Sequence, residues 1–134
     1  MSGLVLKLSP RERVLINGAV IENGERRSRI NIVSPNANIL RLRDAIHPEE
    51  ANTPVKRICY ITQLILSGDV DVEVARRQLL TGVEQLSQVF KDPDSREILA
   101  IATGHLVDAN YYPALKTLRS LLDREERLLA VQAS

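Results

Sequence analysis

Residues 26–46 read RRSRINIVSPNANILRLRDAI, and this stretch sets the expectation for the fold. Ile30 and Ile32 alternate with Arg29 and Asn31, and Leu40 and Leu42 alternate with Arg41 and Arg43. Side chains alternate across a strand, so each run has one apolar face and one polar face carrying arginine. Ser34-Pro35-Asn36 reads as a turn between them, which makes a ribbon of two short strands. Such a ribbon can rest its apolar face on a core and hold fixed positive charge toward solvent on the other.

Upstream, Leu4–Leu8 carries three leucines on one side and Val5 and Lys7 on the other, and Ser9-Pro10 ends it. Arg13–Asn17 and Ala19–Glu22 are strand-like pieces around Asn17-Gly18. Asn-Gly favours a type I′ hairpin turn because both residues tolerate positive φ. Asn23-Gly24 is a second signal of that kind, leading into a strand over Arg27–Val33. With Ile39–Arg43, this makes about five short strands before residue 47. A β-unit so small buries little surface by itself. It needs a partner chain or the rest of the chain to cover it.

From Pro48 onward the apolar spacing becomes helical. Pro54 opens a helix with Val55, Ile58, Cys59, Thr62, Ile65 and Leu66 on one face, and Ser67-Gly68 stops it. Asp69 or Asp71 caps the next, whose stripe runs from Val72 to Phe90. Asp92-Pro93 opens a third, around Ile98, Leu99, Ala102 and Leu106. Pro113 opens a fourth, with Leu115, Leu118, Leu122 and Leu129 on one stripe and Leu121 and Leu128 beside it. The expectation is an α+β chain. A small antiparallel β-domain occupies residues 1–47, and a bundle of about four antiparallel helices occupies residues 48–134.

The chain has 134 residues and is 44% hydrophobic, enough to bury a core. Its single cysteine, Cys59, leaves no intramolecular disulfide and fits a reducing compartment. The opening MSGLVLKLSPRE has no long apolar run or cleavage site, and no segment has the apolar length of a bilayer span. A cytoplasmic location is expected. The net charge of +1 is unevenly spread: residues 1–47 carry eight basic and four acidic groups, residues 48–134 ten and thirteen. The excess in the first half points to an anionic partner there.

Catalytic and metal-binding patterns are missing from the sequence. His47 precedes a proline at the junction of the halves, and His105 sits beside Gly104 within a helix. Neither has cysteines or carboxylates at metal or triad spacing, and Cys59 lies on an apolar stripe. Gly18 and Gly24 fit turns better than a phosphate loop. A non-enzyme without metal or cofactor is expected. Phe90, Tyr60, Tyr111 and Tyr112 are all in the second half, so the β-half has no aromatic platform for stacking bases. Its basic residues are seven arginines and one lysine, which suits planar recognition of phosphate or guanine.

Three stretches carry a resemblance: GLVLKLSPRERVLINGAVIENGERRSRINIVSPNANILRLRDAI, TPVKRICYITQLILSGD and EQLSQVFKD. Together they make essentially the full chain resemble the FlbT family of flagellin-synthesis regulators from flagellated alphaproteobacteria. The resemblance implies binding to the 5′ untranslated region of flagellin mRNA, with repression of translation and promotion of mRNA decay. Some members of the family act as activators. A small protein, FlaF, acts in the same pathway with the opposite effect.

The first half also resembles the mRNA-binding regulator CsrA, through LVLKL, RVLINGAVI, SRINIVSP and ILRLRDAI. That family forms a strand-exchanged dimer and reads RNA with its first and last strands. By position, Lys7 falls on the first of these and Arg41 and Arg43 on the last, with Leu8 standing where that family has a basic residue. The resemblance thus implies RNA contacts at Arg43, Arg41 and Lys7 and a homodimer joined through the β-half; Arg13 and Arg29 are further candidates from the basic β-half. A rival expectation is a protein-binding adaptor. In it the last helix receives FlaF or flagellin along Leu121, Leu122, Leu128 and Leu129, and effects on RNA are indirect.

Overall fold

The computed structural model describes residues 3–133, and along them five strands precede five α-helices. The strands are β1 Leu4–Leu8, β2 Arg13–Ile16, β3 Ala19–Glu22, β4 Ser28–Ile32 and β5 Ile39–Arg41. The helices are α1 Pro54–Ser67, α2 Val72–Ser87, α3 Pro93–Val107, α4 Tyr111–Arg119 and α5 Leu122–Ala133. The α+β class is as the sequence predicts.

The strands form two antiparallel sheets. One pairs β1 with β4; the other has the order β3-β2-β5. The β2–β3 hairpin turns at Asn17 (φ 48°) and Gly18 (φ 86°), the two positive φ values of a type I′ turn. Two sequence expectations fail nearby. Neither Asn23 nor Gly24 has positive φ. Instead the ladder continues past the strand ends, with Asn23 N–H donating to Glu12 O (2.8 Å) and Arg11 N–H to Gly24 O (2.9 Å). The segment 26–46 is also not a ribbon of two paired strands, because β4 pairs with β1 and β5 with β2. The physical cause lies in Asn17. Its N–H donates to Asn38 O (2.8 Å) and its side-chain oxygen accepts from Asn38 N–H (2.9 Å), which seats β5 beside the hairpin.

β5 has a buried residue on each face. Ile39 joins Leu6, Leu8 and Val14 in a small core between the sheets, while Leu40 joins the core of the helical bundle. The helices therefore cover one face of the three-stranded sheet and the β1–β4 pair covers the other. The β-half is thus covered from within its own chain. β5 is also shorter than the sequence predicts. The chain turns into a 3₁₀ turn over Leu42–Asp44, so Leu42 is exposed and Arg43 does not continue the strand alternation with Arg41.

Side-chain caps set the first three helices. Thr53 accepts from Lys56 N–H, Asp71 from Val74 N–H and Asp92 from Ser95 N–H. Gly68, in the left-handed region at φ 81°, ends α1. The predicted fourth helix is in fact two. α4 opens at Tyr111 rather than Pro113, and the chain breaks at Ser120-Leu121 through bonds that reach back three residues. α5 restarts with Glu125 N–H donating to Leu121 O (2.9 Å). The corner buries Leu121 completely. It also brings the Glu125 carboxylate to the start of α1, where it accepts from Val55 N–H (2.8 Å) and Thr53 Oγ1 (2.5 Å). Gln63 on α1 ties the halves together, accepting from Ile46 N–H (2.7 Å) and donating to Ile46 O (2.9 Å).

Candidate nucleic-acid interface

Glu12 organises the arginines at the end of β5. It sits just before β2 with only 3% of its side chain exposed. Oε1 accepts from Ser9 N–H (2.9 Å) and from Arg41 Nη2 (3.0 Å), and Oε2 accepts from Arg41 Nε (2.8 Å). The adjacent Arg41 guanidinium holds the Glu12 carboxyl down at about 2, against an ordinary value of 4.5. Arg43 Nε lies 3.5 Å from the same carboxylate and 3.9 Å from Asp44. Arg41 also donates from Nη2 to the carbonyl of Lys7 on β1. The expectation that Arg41 and Arg43 project side by side into solvent therefore does not hold. Arg41 is largely enclosed and locked into an ion pair, and Arg43 is the more exposed of the two, with 52% of its side chain open.

Lys7 and Arg29 are placed differently. They face each other directly across the β1–β4 ladder, on the outer face with Val5 and Asn31. Leu6, Leu8 and Ile30 pack inward, so the pleat drives Lys7 and Arg29 outward. The Asn23 side chain ties down the connection before β4. Its amide donates to Ser9 O (2.7 Å) and Arg26 O (2.9 Å), and its oxygen accepts from Ser28 Oγ (2.6 Å). That loop sets Arg27 into one cleft with Lys7 and Arg29. Among the described residues, no carboxylate pairs with any of these three cations. Like charges opposed across a ladder repel, so this arrangement costs stability unless an anion relieves it.

Arg13 is exposed but already occupied, donating from Nε to Glu22 at 2.9 Å. Of the leucines expected to face a partner, Leu121 is buried in the bundle and Leu122 is half-buried against it, while Leu128 and Leu129 are exposed. Cys59 is fully buried, and burial pushes its thiol up to about 12. Sequence reasoning missed two features. Arg27 reaches the cleft through the Asn23 loop, which no local pattern announces. Tyr112, from α4, packs against the β-half core, so that half is not without an aromatic ring in three dimensions.

Comparison with known proteins finds similarity along nearly the whole chain. The family model for flagellar protein FlbT matches residues 4–129. The chain belongs to the FlbT family. A probable flagellum biosynthesis repressor protein FlbT from Rhodopseudomonas palustris (strain TIE-1) is 36% identical over 129 residues, covering 95% of this chain and 98% of its own. One from Caulobacter sp. (strain K31) is 29% identical, covering 94% of this chain and 95% of its own. The flagellum biosynthesis repressor protein FlbT of Caulobacter vibrioides (strain ATCC 19089 / CIP 103742 / CB 15) is 28% identical, covering 94% and 89%. No solved structure matches the chain. Among the described residues of this FlbT-family chain, no helix is long and apolar enough to cross a membrane.

Proposed function

We propose that this chain regulates flagellum synthesis by binding the 5′ untranslated region of flagellin mRNA, repressing its translation and promoting its decay. The names of its relatives support a repressor of flagellum biosynthesis. The observation that carries the RNA step is the opposed pair Lys7 and Arg29, with Arg27 beside them and no neutralising carboxylate among the described residues. Phosphates of an unpaired leader strand relieve that repulsion, and occupancy of the leader blocks ribosome loading.

The test is a titration of the full chain against its own flagellin leader transcript at several salt concentrations, with and without FlaF. Lys7→Gln plus Arg29→Gln is expected to lower the log–log salt slope by about 0.7 for each phosphate no longer neutralised. Unchanged affinity and slope, with circular dichroism confirming the fold, would falsify the β1–β4 face as the RNA surface.

A second reading rests on α5. Leu128 and Leu129 are 38% and 43% exposed on neighbouring positions, and a helix of FlaF or flagellin is the occupant this reading requires. It takes first place if the leader titration shows no binding while Leu128→Asp releases FlaF from the full chain.

A further inference from the structure

A second basic cleft lies at the seam between β5 and α4. Arg41 and Arg43 line it from the β-half, and Tyr112, Lys116 and Arg119 line it from the helical half. Leu40 and Leu115, both buried, form its apolar floor. Its volume is about 300 Å³, at the low end for a small-molecule site and too small for a duplex.

The charges in this cleft do not cancel. Glu12 matches Arg41. The other acidic neighbour, Asp44, is 3.9 Å from Arg43 Nε and 4.0 Å from Arg119 Nη2, both at the outer limit of an ion pair. Lys116 has no carboxylate partner among the described residues, and its ammonium sits 5.6 Å from the centroid of the Tyr112 ring. Two carboxylates, Glu12 at 3.5 Å from Arg43 Nε and Asp44, thus face the four cations Arg41, Arg43, Lys116 and Arg119 in a partly enclosed space, where mutual repulsion is less screened than in open water. Arg119 is already held in place, donating from Nη1 to Asp44 O at 2.8 Å. An anion entering here meets donors that are in position, next to a flat aromatic ring.

We propose that the seam cleft takes a single unpaired nucleotide, its phosphate among Arg43, Lys116 and Arg119 and its base along Tyr112. The nucleotide comes either from RNA bound at the β1–β4 face or from a free nucleoside monophosphate. Only the first source rests on the RNA reading above. That source fits the connection between the two clefts, because the Arg41 guanidinium that borders the seam also bonds to the carbonyl of Lys7. It also makes the acidic helical half a direct contributor to RNA binding through α4.

The experiment uses the full chain and two probes. Adenosine 5′-monophosphate is titrated while the Tyr112 ring and the arginine side chains are followed by NMR. A fluorescein-labelled single-stranded leader RNA is titrated by anisotropy. The variant is Lys116→Gln, at an exposed position whose side chain makes no hydrogen bond among the described residues. The monophosphate is expected to shift Tyr112, Arg43 and Arg119, and Lys116→Gln to weaken it by roughly threefold to tenfold. If Lys116→Gln also lowers the leader salt slope by about 0.7, the nucleotide belongs to RNA. If monophosphate binding falls and the leader is unaffected, the cleft is a free-nucleotide site. If the Tyr112 resonances stay still and neither probe notices Lys116→Gln, the seam site is overturned. In that case the Lys7→Gln plus Arg29→Gln variant decides separately whether the RNA reading stands.

Discussion

Glu12 accepts two hydrogen bonds from Arg41, at 2.8 and 3.0 Å, across 29 residues of sequence. The pair fastens the Ser9–Glu12 turn to the last strand and keeps both charges almost out of water. With the folded value near 2 and the ordinary value 4.5, the pair's stabilisation is present above about pH 4.5 and is lost as pH falls toward 2. Urea unfolding at pH 7 and pH 3 is expected to show this loss, and Glu12→Gln to flatten it. Arg41→Ala strands a buried carboxylate and should cost about 3–5 kcal/mol, so weaker RNA binding in that variant would report the fold rather than a direct role for the side chain.

Arg29→Glu separates binding from stability by sign. It replaces a like-charge pair opposite Lys7 with an attractive one. The fold is expected to gain roughly 0.2–1 kcal/mol in urea unfolding, while leader binding weakens. Tighter or equal binding by the more stable variant would remove the β1–β4 face from the interface.

Gly82 on α2 marks the close approach to α1. A Cβ there would lie 2.7 Å from Ile58 Cδ1, and Ile58 is buried. Gly82→Ala gains about 1 kcal/mol of helix propensity but overpacks this approach, which costs about 1–3 kcal/mol. The single variant is expected to be destabilised. In an Ile58→Val background, which removes Cδ1 but keeps the Cγ1 at 3.0 Å, the same substitution should cost less than it does in the wild-type chain. Additive effects in that double-mutant cycle would mean the helices separate freely at this point.

Ala109 ends α3 in the left-handed region, at φ 59°. Asn110 N–H bonds to His105 O at 2.8 Å, closing a helix-end motif that usually places glycine at this position. Ala109→Gly relieves the Cβ clash and is expected to raise stability by about 1 kcal/mol, seen as a higher midpoint of thermal unfolding. A lower midpoint would show that the missing side chain mattered more than the backbone strain.

β3 is an edge strand with Val20 61% and Ile21 40% exposed. Unprotected apolar edges pair with other chains, so a homodimer through the β-half is expected along this edge. Light scattering should give twice the chain mass at micromolar concentration, and Val20→Lys should return it to one. A monomeric wild-type chain at that concentration would exclude this dimer.

Much of this protein was legible from sequence because the relevant physics is local. Alternation in Leu4–Leu8, the Asn17-Gly18 turn, and the caps Asp71 and Asp92 act over a few residues, and each stands where the sequence puts it. Family membership was also legible, since it is carried by residues along nearly the whole chain. The tertiary structure decided what depends on distant neighbours. Alternation tells which side of a strand is apolar but not which strand lies next to it. So β4 went to β1, and β5 to β2, through bonds made by Asn17 and Asn38. A charge pattern shows that Arg41 and Lys7 are cations but not which is neutralised. Glu12 claims Arg41 from 29 positions upstream and leaves Lys7 facing Arg29. Nothing near residue 112 says that its ring will close a cleft against Arg43. That follows only from packing α4 on the sheet, because burying Leu40 and Leu115 against each other's elements brings those side chains together.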